Sequence, residues 1–301
     1  MDLTVGANPF FWTAEAVRAF YADLAQAPVA RVVLGEQVCS KRLPFWAAEI
    51  PTAIETLQAA GKEVALTSLG LITLPRERKL TRELPDMGLP IEINDLSALH
   101  HIPEGTPFWV GPLVNVYNEG TLRWLARRGA TRICLPPELT LDSIAVLARA
   151  GQDAGVAIEV WGHGRLPLAI SGRCYHARLH DRAKDSCQFV CGDDPDGREV
   201  DTLDGQKFLV VNGVQTLSQS TASMVHHAAD LAAAGVSALR LSPQSRDFGA
   251  ICRGYADLLA GRTAPGDLAE SLRGMVPGGT LSDGFLDGSA GANWSGARAR
   301  A

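Results

Sequence analysis

The chain has 301 residues and a mass of 32.0 kDa, near the upper limit for one compact domain. Hydrophobic residues at 46% and charged residues at 20% are the proportions of a globular chain with a sizeable core. The formal net charge of −5 argues against nucleic-acid binding through a broad basic surface. A mean hydropathy of +0.04, with no apolar run near ~18 residues, excludes a membrane-spanning helix.

Short apolar, β-branched runs alternate with helical patterns along the chain. Strands are predicted at Leu3–Gly6, Arg31–Leu34, Glu63–Thr67, Pro90–Ile93, Pro107–Gly111, Thr131–Leu135 and Ala157–Trp161, with two more near Lys207–Val211 and Val236–Leu241. Helical patterns fall at Thr13–Gln26, Phe45–Ala60, Arg76–Met87, Asp95–His101, Asn118–Arg128, Leu139–Ala154, Leu217–Ala234 and Arg246–Ala260. Gly61, Gly129 and Gly235 each follow a helical pattern where a C-cap needs positive φ. Such a series demands a mostly parallel sheet, and about eight strand–helix units suit a closed (β/α)8 TIM-barrel-like fold. The open dinucleotide-binding alternative lacks its glycine fingerprint after Leu3–Val5, and no phosphate-binding P-loop occurs. The expected organisation is a barrel-like α/β domain over 1–262, with a long cysteine-bearing insertion at 162–206. A Gly-rich C-terminal tail at 263–301, partly irregular, follows it.

Met1–Trp12 has neither the basic start nor the apolar run of an export signal, so a cytoplasmic location is expected. Six cysteines in a reducing compartment suggest metal or redox chemistry rather than a disulfide scaffold. Cys174, Cys187 and Cys191 lie in the insertion, in a C-x12-C-x3-C spacing that matches neither a zinc ribbon nor a compact ferredoxin run. Cys39, in the loop after the second strand, is the best-placed fourth ligand, because in a barrel that loop and the one after Trp161 emerge at the same face. Spacing alone leaves open a metal or cluster site and plain thiols. Arg31, Lys41, Arg42, Arg165, Arg173, Arg178, Arg182 and Lys184 flank the four in sequence; they would stabilise a negatively charged cluster or simply form a solvated face. Cys134 and Cys252 sit in apolar stretches and read as structural.

Other polar residues fall at predicted strand ends. Glu36, Glu92, Asn115, Tyr117, Glu138 and His163 are weak catalytic candidates that would line a polar pocket at the barrel mouth. Glu36 could equally orient its loop, and Asn94-Asp95 could cap a helix. His176 and His180, four residues apart, would face together on a helix, so a zinc or mixed-ligand site is the rival to a cluster. His226-His227 reads as solvated, and Phe10-Phe11-Trp12 as a packing element or partner contact.

Several motifs together carry a resemblance over residues 3–260. They are Leu34-Gly35-Glu36-Gln37-Val38-Cys39-Ser40-Lys41-Arg42, Gly164–Ala169, Ser171-x-Arg173-Cys174 and Lys184-Asp185-x-Cys187-Gln188-Phe189-x-Cys191. Shorter ones are Glu92-x-Asn94-Asp95, Asn115-x-Tyr117-Asn118, Leu135-Pro136-x-Glu138, Asn212-Gly213-x-Gln215-Thr216 and Arg240-x-Ser242-Pro243-Gln244. In these the chain resembles the UbiV-type, ubiquinone-biosynthesis branch of the collagenase-like peptidase (U32-type) family. The resemblance implies a barrel holding a [4Fe–4S] cluster on Cys39, Cys174, Cys187 and Cys191. It implies a heterodimer with a paralogue, UbiU, acting in oxygen-independent hydroxylation of the ubiquinone-precursor ring. Two alternatives stand beside it: a non-catalytic cluster-bearing partner or oxygen sensor, and a zinc-dependent peptidase or hydrolase. Neither H-E-x-x-H nor G-x-S-x-G is present to supply a protease centre. No nucleic-acid partner is expected, and a lipid-binding helper would deliver the hydrophobic precursor.

Overall fold

The computed structural model describes residues 1–296. Seven strands form a parallel series in chain order: β1 (Asp2–Val5), β2 (Arg31–Leu34), β3 (Glu63–Thr67), β4 (Ile91–Ile93), β5 (Phe108–Val110), β6 (Ala130–Cys134) and β7 (Ala157–Ile170). Three more, β8 (Arg198–Asp201), β9 (Lys207–Asn212) and β10 (Gln215–Ser223), run antiparallel off β7. Strand β11 (Ala238–Leu241) then pairs in parallel with both β7 and β1, which closes an eight-stranded barrel.

The helices are α1 (Ala14–Gln26), α2 (Ile50–Ala59), α3 (Pro75–Glu83), α4 (Glu119–Arg127), α5 (Leu141–Asp153), α6 (Tyr175–Arg178), α7 (Ala228–Ala233), α8 (Phe248–Leu259) and α9 (Pro265–Met275). Thr13, Asn118 and Thr140 start α1, α4 and α5 by accepting a first-turn N–H on the side-chain oxygen. The crossover after β4 is only a 3-10 turn, Leu96–His100, capped by Asp95. After α9, a short β12 (Leu281–Ser282) pairs with β10 at Thr221 and Ala222. No helix among the described residues is long and apolar enough to cross a membrane.

Strand periodicity sorts the side chains. In β2, Val32 and Leu34 join the main core under the helices, while Val33 meets Ala7, Ala65 and Trp109 in a separate cluster. The same alternation sends Thr4, Glu92, Glu159 and Arg240 into a buried polar network that joins β1, β4, β7 and β11 across the barrel.

Four expectations change. Strand β7 does not end at Trp161 but runs on to Ile170, because β10 supplies an antiparallel partner beyond the barrel rim. The segment predicted as one helix from Leu217 to Ala234 is strand up to Ser223, and only Ala228–Ala233 is α-helical; its Thr- and Ser-rich first half is drawn into the sheet by β7 and β9. The Lys207 strand belongs to that extension and not to the barrel. The turn residues Asp193-Asp194-Pro195-Asp196-Gly197, between Phe189-Val190 and Val200, predict a hairpin there, but the hairpin lies at β8–β9, since Val190–Gly192 forms a 3-10 turn.

Candidate functional site

The β7–β10 extension and the loop after β2 meet beside the barrel mouth. Cys39, Cys174, Cys187 and Cys191 all line one small cavity there, with Lys41, Arg42, His176, Lys184, Phe189 and Gly213. All four thiols are free; Cys174 and Cys191 are buried, and Cys39 and Cys187 partly so. Glu36 shapes the Cys39 loop: one carboxylate oxygen accepts the N–H groups of Val38 (2.8 Å) and Cys39 (3.0 Å). Cys174 opens α6, accepting the Ala177 N–H on sulfur, and its own Sγ lies 3.1 Å from the Gly213 carbonyl. Cys187 and Cys191 bracket Gln188 and Phe189, both at positive φ (48° and 57°). Two consecutive non-glycine residues in that region cost energy and are kept only where the surroundings fix them.

Arg42 organises the electrostatics. It is essentially buried, donates to Asn212 Oδ1 (2.6 Å) and lies 3.2 Å from the Pro9 carbonyl. Asn212 in turn donates to the carbonyls of Cys191 (3.1 Å) and Asp194 (2.9 Å), which ties the cysteine loop to β9. Burial pushes the Cys39 and Cys191 thiols up, and the neighbouring guanidinium opposes the shift at both. Burial works against the charge of Arg42 itself, but the thiol groups of Cys191 and Cys39 and the Glu36 carboxyl outweigh it, so its pKa rises. Burial likewise raises the Glu36 carboxyl, with Arg42 opposing. Lys41 Nζ donates to the Lys184 carbonyl (2.7 Å) and stands 3.9 Å from Cys187 Sγ. Phe11, Phe45 and Phe189 pack edge to face or tilted, with centroids 4.4–5.9 Å apart.

This donor set fits a thiolate-bound metal group: four soft ligands, no competing disulfide, and cations to balance their charge. Thiolates around one tetrahedral zinc stand about 3.8 Å apart. Among the described residues, the two groups of three or more ligand atoms lying within 4.8 Å of one another contain no cysteine; they are His176–His180–Asp194 and His227–Asp283–Asp287.

The remaining candidates disperse. Glu92 is fully buried in the barrel, 2.5 Å from Arg240 Nη2, and does not line an open mouth. Asn94 is buried and donates to Thr67 and Glu92, leaving the cap to Asp95. Tyr117 donates to Glu138, and both are exposed, as is Asn115. His163 is fully buried beside Tyr255; burial pushes its pKa down to about 4, with Gln244 opposing. Arg31 pairs with Asp2 and Arg165 bonds to backbone of β10, so neither lines the thiol cavity. Arg173, Arg178, Arg182 and Lys184, with Arg76, line a groove that adjoins it at Cys174. His227 is buried against Asp283 (3.3 Å) and not solvated. Cys134 and Cys252 are fully buried, and burial raises both thiols, Cys252 to about 12. Sequence reasoning missed Asp194, read as a turn residue, and the part Asn212 and Gly213 play in seating Arg42.

Fold and site together define a closed parallel barrel bearing a four-thiol site on a side extension. The chain belongs to Peptidase family U32, whose model matches residues 12–295. It is similar to tRNA hydroxylation protein P of Escherichia coli (strain K12), 31% identical over 94 residues, which are 30% of this chain and 20% of that protein. The protein of the same name from Haemophilus influenzae is 31% identical over 80 residues, 26% of this chain and 17% of its own length. The chain thus spans about a fifth of the curated relatives it matches. A solved structure of an uncharacterized B. cereus protein aligns over 80% of this chain and 60% of its own, at 14% identity and a TM-score of 0.43, a likeness too slight to bear on function.

Proposed function

We propose that this chain is the cluster-bearing component of an oxygen-independent hydroxylation system, with Cys39, Cys174, Cys187 and Cys191 as ligands of a [4Fe–4S] cluster. The observation that carries the reading is the convergence of four thiols, from segments 135 residues apart in sequence (Cys39 to Cys174), on one cavity faced by Lys41, Arg42 and Lys184. Likeness to proteins named for tRNA hydroxylation supports the reaction class. The resemblance in the Cys39 and Cys174–Cys191 motifs supports the ring of a ubiquinone precursor as substrate and a UbiU-type paralogue as partner.

Ring hydroxylation needs an oxygen atom and the removal of two electrons, and a bound iron–sulfur cluster would supply electron transfer or an iron that holds the oxygen donor. The chain's own residues do the rest. Arg42, Lys41 and Lys184 balance the thiolate charge, Glu36 fixes the Cys39 loop through two backbone N–H groups, and the three phenylalanines pack beside the cavity.

A second reading, hydroxylation of an RNA base, is favoured by the groove beside the thiols, where Arg76, Arg173, Arg178, Arg182 and Lys184 outnumber Asp181 and Asp185 and suit a phosphate backbone. Both readings are tested in anaerobically grown cells lacking the chain, by mass spectrometry of quinones and of tRNA nucleosides, with rescue by the native chain or by Cys187→Ala. Quinone precursors missing their hydroxyls, restored by the native chain and not by the variant, is the expected result. Loss of a tRNA hydroxyl with normal quinones would transfer the assignment to RNA. Normal quinones and normal tRNA would overturn both.

A further inference from the structure

A second group of ligand-type side chains stands beside the thiol cavity. His176 is fully buried on α6, and its Nδ1 lies 3.2 Å from the Val211 carbonyl. A carbonyl only accepts, so the proton sits on Nδ1 and Nε2 is left to face Asp194. Asp194 Oδ2 is 3.1 Å from that nitrogen, yet Nε2 has no hydrogen-bond partner, because the carboxylate lies off the line an N–H would take. His180, four residues on, brings one ring nitrogen within 4.8 Å of a His176 nitrogen and an Asp194 carboxylate oxygen; the two rings lie nearly parallel, centroids 5.6 Å apart, so a turn of the His180 ring would complete the site.

Two acceptors this close repel unless something positive answers both lone pairs, and a shared proton would need the alignment that is missing. Neighbouring ligands on one first-row ion, each bound at about 2.0–2.2 Å, stand about 3.0–3.4 Å apart with their lone pairs aimed at the ion and not at each other. The Nδ1 contact to a backbone carbonyl is also the orienting bond that metal-binding histidines make. The Asp194 backbone is held in place by Asn212, which donates to its carbonyl (2.9 Å).

We infer that His176, His180 and Asp194 form a mononuclear site for a divalent first-row transition ion, with ligands distinct from the four thiols although His176 also lines their cavity. Two imidazoles and one carboxylate suit iron(II) or zinc and leave coordination positions open to water or an oxygen-bearing ligand. Thiolates and this nitrogen–oxygen set differ in softness, so the two neighbouring sites would take different occupants from the same solution. The inference does not rest on what the thiols hold.

The test is an anaerobic titration of the full-length protein with cobalt(II) alone, followed by displacement with iron(II) or zinc to rank the natural ions. Visible d–d bands report binding, and thiolate-to-cobalt charge-transfer bands report any cobalt at the cysteines, so failure of the cluster reading would show separately. The expected result is one cobalt per chain without thiolate bands. Its affinity should fall at least about tenfold in His180→Ala and in Asp194→Asn, with the circular dichroism and the iron and sulfide content unchanged. No cobalt bound outside the thiols, or equal affinity in both variants, would overturn the site.

Discussion

The barrel interior and the thiol cavity both bury charge, but they balance it by different means. Inside the barrel, Arg240 Nη2 lies 2.5 Å from Glu92 and 2.9 Å from Glu159, while the other Glu159 oxygen accepts from Thr4 (2.6 Å) and Arg132 (3.2 Å). Each partner answers the next, and although burial pushes the Glu159 carboxyl up, Arg240 and Arg132 hold it below the usual carboxylate range. In the cavity, the thiols of Cys39 and Cys191 stay raised despite the Arg42 guanidinium beside them. A network that completes itself stabilises a fold, whereas one whose cation faces thiols that burial keeps raised suits a ligand that keeps those thiolates ionised.

Breaking the interior network should have the largest effect. Arg240→Met leaves Glu92 buried without its cation and Glu159 with Arg132 alone, at a cost of about 3–5 kcal/mol in denaturant unfolding. The pH dependence should also weaken. In the native chain the depressed Glu159 pKa gives stability that is present above the ordinary carboxylate value and lost as pH falls through the folded one. Without Arg240, only Arg132 and the Thr4 hydroxyl oppose burial at Glu159, so its depression shrinks and less stability should be lost on acidification. An unchanged pH slope would mean that the network does not act as described.

An intermediate effect is expected at Gly213, which has a φ of +67° and where a Cβ would sit 2.2 Å from Arg42 Nη2. Gly213→Ala should cost about 1–3 kcal/mol through backbone strain and displace the guanidinium, so that any iron–sulfur absorbance bleaches several-fold faster in air. Gly172 offers the control: a Cβ there meets nothing within 4 Å, and Gly172→Ala should change neither quantity. Equal bleaching in the two variants would remove Arg42 from the account.

The smallest effect belongs to the rim. Tyr117→Phe removes an exposed hydrogen bond to Glu138 and should alter stability by no more than about 0.5 kcal/mol. Loss of hydroxylated product in this variant at unchanged stability would bring the rim pair back into the site.

The barrel was legible because its strands and crossovers follow simple periods, and Cys39 could be matched to distant cysteines because loops after barrel strands share a face. What escaped were partnerships that no local pattern carries. Glu92 looked like a mouth residue because it stands near a strand end, but its partner Arg240 lies 148 positions away. The apolar spacing from Leu217 suits a helix as well as a strand, and only the long β7 edge decided between them. Asp194 has the composition of a turn, and its nearness to His176 depends on the fold of the whole cysteine loop.

The most direct test of the central claim is the iron, acid-labile sulfide and zinc content of anaerobically purified protein, with visible and EPR spectra before and after dithionite. The account predicts about four irons and four sulfides per chain, with the broad visible band lost in Cys39→Ala and Cys187→Ala. Zinc without sulfide, even after anaerobic reconstitution, would contradict the cluster and the hydroxylation chemistry built on it.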